Sequence, residues 1–132
     1  VLGKGWLDAT YEERMASAEY ILREGNPHVI LCERGIRSYQ SGTRATLDLA
    51  AIPVMQGLTH LPVLVDPSHA SGAADWIPAL GRAAIAAGAG GLMVEVHTNP
   101  AQALSDGEQA LLPQDFARLA ADAHKIWGLL HP

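Results

Sequence analysis

Aliphatic runs divide this 132-residue chain at intervals of roughly 30 residues, and this spacing constrains its fold more than any other feature. The runs cover residues 29–32, 62–66 and 91–96, and a shorter one, VLGKG, opens the chain. Segments that are apolar at nearly every position are typical of strands covered on both faces. Strands that alternate with stretches long enough for a helix predict a parallel α/β fold.

The segments between the runs carry helix signals. Residues 10–24 contain a capping box, with Thr10 as N-cap and Glu13 three residues later. A second helix is predicted over residues 48–56, where Pro53 requires either a late start or a kink.

Two more helices complete the pattern. One is predicted over residues 75–87, whereas the SHASGAAD segment before it is predicted to be a loop. The last helix begins at Pro113 and carries Phe116, Leu119 and Trp127 on a common apolar stripe.

Periodicity alone allows either a doubly wound sheet or a (β/α)₈ TIM barrel. Candidate functional residues at the end of every strand favour the barrel, because an open sheet concentrates them at one switch point. A complete barrel needs about 250 residues, so we expect about four of its eight βα units here, as part of a longer protein. Half a barrel has two open strand edges and is therefore prone to associate.

Composition narrows the classes of function. The chain is 48% hydrophobic with a net charge of −5, which argues against a bulk nucleic-acid or membrane-surface partner. Anionic substrates would have to be held by local cations. The single cysteine, Cys32, excludes an internal disulfide and suits a cytoplasmic location.

Three side chains that can bind a metal lie at or beyond the ends of apolar runs. His69 follows PVLVDPS, Glu95 lies in GLMVEVH, and Asp106 lies in ALSDGEQ. His69 could instead be a hydrogen-bonded structural histidine, and Asp106 could be a turn aspartate before glycine. Glu95 favours a functional role, because a carboxylate in so apolar a run is costly to bury without a cation partner. One imidazole and two carboxylates at neighbouring strand ends predict a site for a divalent metal ion.

Two cations stand at similar positions. Lys4 in VLGKG and Arg34 in LCERG each end an apolar run, and their charges suit phosphate oxygens. Asp66 could orient either cation or a metal-bound water. Alternatively, Arg34 could form a structural ion pair with Glu33 or Asp66.

Other candidates rank lower. His97 and Arg37 are predicted on the same rim, and Cys32 is predicted to be a core residue and not a ligand. Four further histidines are predicted at the surface: His28, His60, His124 and His131. The chain contains no glycine-rich phosphate loop, nucleophile elbow or CxxC motif.

Together the motifs LCERGIR, TRATLDLAAIPV, LPVLVDPSHASG, GLMVEVH and ALSDGEQAL closely resemble those of 3-deoxy-D-arabino-heptulosonate 7-phosphate (DAHP) synthases. The resemblance is to the short bacterial and archaeal form, and it covers almost the whole chain. It implies the C-terminal half of a TIM-barrel domain, residues 1–132, with the N-terminal half absent. It also implies that phosphoenolpyruvate condenses with D-erythrose 4-phosphate in the first step of the shikimate pathway.

The resemblance further implies a divalent metal such as Mn²⁺, with His69, Glu95 and Asp106 matching three of the family's four ligands. The fourth is a cysteine in the absent half, so Cys32 is not its counterpart. Lys4 and Arg34 match residues that bind phosphoenolpyruvate. We therefore expect the isolated chain to be inactive and to work as an oligomer or with the missing half.

Two alternatives stay open. The sister synthase that uses arabinose 5-phosphate to make an eight-carbon sugar acid shares the barrel and the reaction type, although CERGIR and TRATLD fit the seven-carbon enzymes better. A half-barrel that serves only assembly would not need to retain three metal ligands.

Overall fold

The computed structural model describes residues 1–132 and consists of one four-stranded parallel sheet with helices between the strands. The strands are β1 (Leu2–Lys4), β2 (Ile30–Glu33), β3 (Val63–Val65) and β4 (Gly91–Leu92). The helices are α1 (Tyr11–Arg23), α2 (Ala51–Leu58), α3 (Pro67–Ser71), α4 (Ile77–Ala86) and α5 (Pro113–Leu130). Short 3₁₀ turns occupy Ala74–Trp76, Pro100–Gln102 and Gly107–Gln109.

The strands lie in the sheet in the order β1-β2-β3-β4, which is also their order along the chain. A doubly wound sheet reverses its strand order at a switch point, whereas a barrel adds each new strand beside the previous one. The observed order is therefore that of the predicted barrel. Since β1 and β4 each pair on one side only, both are open edges.

One face of the sheet packs against the helices. Leu31 of β2 and Val63 of β3 are buried in a cluster with Ala18 of α1 and Met55 of α2. Because side chains alternate along a strand, Cys32 points to the opposite face, where it is also buried. Side chains at alternate positions of one strand thus pack against the helices or point into the interior of the barrel.

The first helix agrees with its prediction. Thr10 is the N-cap, its hydroxyl accepts a hydrogen bond from the backbone N–H of Glu13, and the Glu13 carboxylate accepts one from the Thr10 N–H. This reciprocal bonding satisfies two of the donors that every helix N-terminus leaves free.

The second helix begins at Ala51, three residues later than predicted. Pro53 is its third residue, within the first turn, where a backbone N–H has no partner inside the helix and its absence costs little. The late start, and not the kink, resolves the position of this proline.

The prediction of a loop after β3 is wrong. Pro67–Ser71 forms the short helix α3, because Pro67 suits its first position and the Asp66 carboxylate caps it by accepting from the His69 N–H at 2.9 Å. Gly72 ends it in the left-handed conformation, with φ of 71°.

The third predicted strand is shorter than expected. The β-ladder of β4 covers only Gly91–Leu92, because β3 ends at Val65 and no strand pairs with the other side of β4. The chain continues extended, with Met93 N–H donating to the Val65 carbonyl and Val96 bridging to Leu111.

The last helix, α5, is the longest and packs against α4. Leu119 is buried, whereas Phe116 and Trp127 of the predicted stripe remain partly exposed and line a groove of about 430 Å³ beside the β4 edge. None of the helices has both the length and the apolar character needed to span a membrane.

Candidate metal centre

The three predicted metal ligands converge. One ligand atom from each of His69, Glu95 and Asp106 lies within 4.8 Å of the others. The Nε2 atom of His69 is 3.7 Å from Glu95 Oε1 and 3.9 Å from Asp106 Oδ2. Separate parts of the chain supply them, since His69 is in α3, Glu95 follows β4, and Asp106 lies in the loop before α5.

His69 is oriented by Asp66, which is fully buried at the end of β3. The Nδ1 atom of His69 lies 2.7 Å from Asp66 Oδ2. We assign a proton to Nδ1, because an ionised carboxylate can only accept a hydrogen bond. The lone pair of the imidazole is then on Nε2, which faces the two carboxylates. A carboxylate behind a histidine in this way is the usual support of a metal-binding imidazole.

Lys4 shares the same carboxylate. Its Nζ is 2.6 Å from Asp66 Oδ2 and 3.4 Å from His69 Nδ1. The second distance is a close approach and not a hydrogen bond, because both nitrogens carry protons directed at Asp66. Asp66 therefore holds a cation and a candidate ligand side by side at the carboxyl end of the sheet.

Glu95 is held through its backbone. Its N–H donates to the hydroxyl of Ser68, a buried residue of α3, at 3.0 Å. The Glu95 side chain is 42% exposed beyond the end of the β4 ladder, so the carboxylate avoids the cost of burial among the apolar residues around it. The carboxylate is open to solvent and to an incoming cation.

Asp106 precedes glycine in a turn, as its sequence indicates. It adopts a left-handed conformation with φ of 55°, the only non-glycine residue with a positive φ in the chain. Gly107 allows the tight turn, since a Cβ there would lie 2.3 Å from the Pro100 carbonyl oxygen. The Arg44 guanidinium approaches Asp106 Oδ1 at 3.8 Å.

Arg34 does not form the structural ion pair that was its alternative explanation. Glu33 is paired with Arg14 of α1, and Asp66 is paired with Lys4. Arg34 makes no ion pair, and its Nε is buried without a hydrogen-bond partner. Its guanidinium is thus a half-buried cation with donors to spare for an anion.

Cys32 lies behind this rim. Burial, with a contribution from the Asp66 charge, raises the pKa of its thiol to about 12, despite Lys4 and Arg34, which act in the opposite direction. The thiol is therefore neutral near pH 7 and lies outside the cluster of three ligands. Both observations fit the prediction of a core residue.

The lower-ranked candidates have local partners instead. Arg37 Nε is 3.2 Å from Asp8 Oδ1 in an exposed pair, and His97 Nδ1 accepts from the Asn99 N–H. The four histidines predicted at the surface are all exposed.

Sequence reasoning missed four residues that support the site or its neighbourhood: Arg14, Ser68, Arg44 and Gln109. Arg44 belongs to the TRATLD motif, which was a usable signal, although it does not reveal the partner. Ser68, between a proline and a histidine in a segment predicted to be a loop, gave none.

The donor set fits a divalent cation. A neutral imidazole nitrogen and two carboxylates suit Mn²⁺ and similar ions, and three protein ligands leave coordination positions for water or substrate. Next to them, Lys4 provides positive charge, and Arg34 follows β2 at the same carboxyl edge of the sheet. The arrangement can bind a metal and a phosphorylated compound together.

Comparison with known proteins places the chain in a family. The family model described as "DAHP synthetase I family" matches residues 1–129. A phospho-2-dehydro-3-deoxyheptonate aldolase of Thermotoga maritima is 49% identical over 126 residues, which cover 96% of this chain and 37% of that protein. A 2-dehydro-3-deoxyphosphooctonate aldolase of Desulfosudis oleivorans is 38% identical over 98 residues, covering 66% of this chain and 34% of that protein.

The fold comparison agrees. The structure of a truncated form of 3-deoxy-D-arabino-heptulosonate 7-phosphate synthase from Thermotoga maritima matches with a TM-score of 0.95 and 49% identity, covering 98% of this chain and 50% of that chain. This match confirms the predicted α/β fold as half of a TIM barrel, and the chain spans between about a third and a half of the proteins it matches. The chain belongs to the DAHP synthetase I family.

Proposed function

We propose that this chain supplies the metal ligands and phosphate-binding cations of a DAHP synthase, which condenses phosphoenolpyruvate with D-erythrose 4-phosphate. The convergence of His69, Glu95 and Asp106 beside the Lys4–Asp66 pair is the observation that carries this proposal. The 49% identity to the Thermotoga maritima aldolase supports it. The same function would place the protein in the cytoplasm, where sugar phosphates are metabolised.

In the proposed reaction, C3 of phosphoenolpyruvate attacks the aldehyde carbon of erythrose 4-phosphate and forms a carbon–carbon bond. Water adds at C2, and the proton that it loses goes to the former aldehyde oxygen. The bond between C2 and the phosphate oxygen then breaks, the electron pair leaves with phosphate, and the proton of the C2 hydroxyl passes to the departing phosphate as the ketone forms. The products are DAHP and inorganic phosphate. A bound divalent metal, with Mn²⁺ as the expected ion, would polarise the aldehyde oxygen as a Lewis acid.

The residues of this chain hold the reactants in place. Lys4 and Arg34 would bind the phosphate of phosphoenolpyruvate, with Arg34 offering a planar pair of donors and Lys4 a point charge. Asp66 would contribute to substrate binding by holding Lys4, and it fixes the proton of His69 on Nδ1. His69 then presents Nε2 toward the reaction centre, which explains why its replacement should abolish the reaction.

A complete site needs more than this chain. We propose that residues 1–132 are the C-terminal half of the barrel and that an N-terminal half, pairing with the β1 and β4 edges, completes it. The two open edges and the 50% coverage of the truncated Thermotoga maritima synthase support this. Phosphoenolpyruvate and erythrose 4-phosphate are then the small-molecule partners of the joined halves.

The direct test is to co-express this chain with the N-terminal half of the truncated Thermotoga maritima synthase. Loss of phosphoenolpyruvate is measured after erythrose 4-phosphate and Mn²⁺ are added. We expect turnover that disappears in His69→Ala and Glu95→Ala but persists in Arg82→Gln, a matched change in an exposed ion pair between α4 and α5. A folded, metal-binding complex without turnover would contradict the proposal.

The second acceptor belongs in the same assay, because the sequence is also similar to 2-dehydro-3-deoxyphosphooctonate aldolases. Arabinose 5-phosphate replaces erythrose 4-phosphate under identical conditions. A higher rate with the five-carbon sugar would identify the sister synthase instead.

A further inference from the structure

The short helix α3 organises two of the three candidate ligands directly. It carries His69, and the hydroxyl of Ser68 in this helix accepts a hydrogen bond from the backbone N–H of Glu95. Asp106 has no such bond to α3. It lies in a loop, adopts a left-handed backbone, and its side chain makes no hydrogen bond. Something else must keep its carboxylate facing His69.

Arg44 is the residue that reaches it. The Nη1 atom of Arg44 is 3.8 Å from Asp106 Oδ1 and 3.1 Å from Oε1 of Gln109, which is buried. One guanidinium therefore contacts both ends of the turn that begins at Asp106. The other carboxylate oxygen, Oδ2, is the one that faces His69 Nε2. Arg44 thus lies on the Oδ1 side of the carboxylate and leaves Oδ2 for a metal.

The backbone of Arg44 is attached to α3. Its N–H donates to the Ser71 carbonyl at 3.2 Å, and the next residue, Ala45, donates to the Ala70 carbonyl at 2.8 Å. Gly72 packs closely against it, since a Cβ at that position would lie 2.9 Å from the Arg44 Cβ. The base of the Arg44 side chain is therefore fixed to the helix that carries His69.

We infer that Arg44 is a positioning residue that links the Asp106 turn to α3 and so sets the geometry between Asp106 and His69 for metal binding. This inference rests on the proposed metal site and deepens it. Arg44 cannot itself be a ligand, because its guanidinium has no lone pair to donate.

Charge and geometry predict opposite effects at this position. A positive charge near a metal site repels the cation, so a purely electrostatic Arg44 would weaken metal binding, and its removal would tighten it. A positioning Arg44 would strengthen metal binding, and its removal would weaken it. Because both partners are substantially exposed, solvent screens the repulsion, and we expect the geometric effect to dominate.

The experiment measures Mn²⁺ affinity of the chain by electron paramagnetic resonance for the wild type, Arg44→Gln, Asp106→Asn and the double variant. We expect Arg44→Gln to weaken binding at least about tenfold, as is usual for residues that support metal ligands. In the Asp106→Asn background the same change should alter affinity less than about twofold, because Arg44 then has no ligand to position. Arg82→Gln, which removes a similarly exposed ion pair away from the site, should leave affinity unchanged.

Thermal unfolding in EDTA establishes that each variant folds. Arg44→Lys keeps the positive charge but not the planar donors of the guanidinium, so we expect an Mn²⁺ affinity between those of the wild type and Arg44→Gln. If Arg44→Gln fails to fold, Arg44→Lys tests the positioning role in its place. Unchanged or tighter binding in Arg44→Gln, or an equal loss in both backgrounds, would overturn the inference. The result that contradicts the proposed metal site is different from the result that contradicts the role of Arg44. In that case the wild type would bind no Mn²⁺, or His69→Ala would bind it equally well.

Discussion

The helix side of β2 and the rim beyond the carboxyl ends of the strands surround their carboxylates in opposite ways. Behind the sheet, Glu33 is completely buried against α1, and both of its oxygens have donors. Oε2 accepts from the Arg14 guanidinium, and Oε1 accepts from the backbone N–H groups of Gly35 at 2.7 Å and Asp48 at 3.4 Å. This carboxylate has no capacity left for a ligand.

At the rim, Glu95 and Asp106 are 42% and 36% exposed, and neither carboxylate accepts a hydrogen bond within the protein. Both point toward the same imidazole nitrogen. Acceptors that face one another without donors repel, and a divalent cation between them relieves that repulsion. The difference teaches that a carboxylate saturated with hydrogen bonds supports the fold, whereas converging carboxylates that accept none can take a cation.

The largest effect is expected at Arg14, the charged partner of the buried Glu33 carboxylate. Replacing Arg14 with Met leaves Glu33 buried without its charged partner, and we expect a loss of about 3–5 kcal/mol in the free energy of unfolding. Urea denaturation followed by circular dichroism measures it. The double variant Arg14→Met with Glu33→Gln should recover part of the loss, because the amide is neutral and its oxygen can still accept from the N–H groups of Gly35 and Asp48. A loss below about 1 kcal/mol in the single variant would show that the pair is not structural.

Glu95→Gln tests the exposed carboxylates at the rim. We expect Mn²⁺ affinity to fall by about 100-fold or more, about 2.7 kcal/mol, because a ligand matters at least as much as the residues that support it. Stability without metal should stay within about 0.5 kcal/mol of the wild type, as for other exposed positions. Titration calorimetry and urea denaturation in EDTA give the two values. A large loss of stability without metal would place Glu95 among the structural carboxylates.

Tyr11 lies at the edge of the hydrogen bonds around Glu33. Its hydroxyl donates to the carboxylate of Asp48 at 2.6 Å, and the Asp48 backbone N–H donates to Glu33. That hydrogen bond, followed by burial, raises the pKa of Tyr11 to about 12 from its usual value of 10. Tyr11→Phe should cost about 1.5 kcal/mol at pH 8.

The pH dependence follows from the direction of this shift. Since the pKa is higher in the folded state, the stabilisation is complete below pH 10 and is lost as pH rises toward 12. The difference in unfolding free energy between wild type and Tyr11→Phe should therefore shrink over that interval. A difference that stays constant from pH 8 to pH 12 would contradict the role of the hydroxyl.

Cys32→Ala should have the smallest effect. We expect a loss of about 1 kcal/mol in stability from the smaller buried side chain, and no change in Mn²⁺ affinity, because the neutral thiol lies outside the cluster. Parallel Mn²⁺ titrations of the two proteins check this. A fall in affinity comparable to that of Glu95→Gln would make Cys32 a ligand.

Local patterns predicted the elements best. The capping box at Thr10 and Glu13 depends only on neighbours in the chain, and the structure reproduces it. Errors arose where local signals compete, as in α3, where proline and small residues indicated a loop although Asp66 and Gly72 supply the cap and the stop of a helix. The extent of β4 was also wrong, because strand length depends on the neighbouring strand and not on the run itself.

For the candidate site, the sequence was sufficient to choose three side chains that converge, His69, Glu95 and Asp106, since their chemistry and their positions at or beyond the ends of apolar runs are visible in it. It was insufficient for their supports. The carboxylate of Glu33 could have paired with Arg34, its neighbour, yet it pairs with Arg14 on α1. Arg44 reaches Asp106 from a loop 62 positions earlier in the chain.

The sequence by itself therefore determined the alternation of strands and helices, the parallel sheet and the kinds of side chain at its carboxyl edge. These follow from patterns shorter than one βα unit and from the rule that parallel strands end on the same side. Only the tertiary structure decided which cation pairs with which carboxylate and which carboxylates accept no hydrogen bond. Several charges compete for each partner, and the distances between elements far apart in the chain select among them.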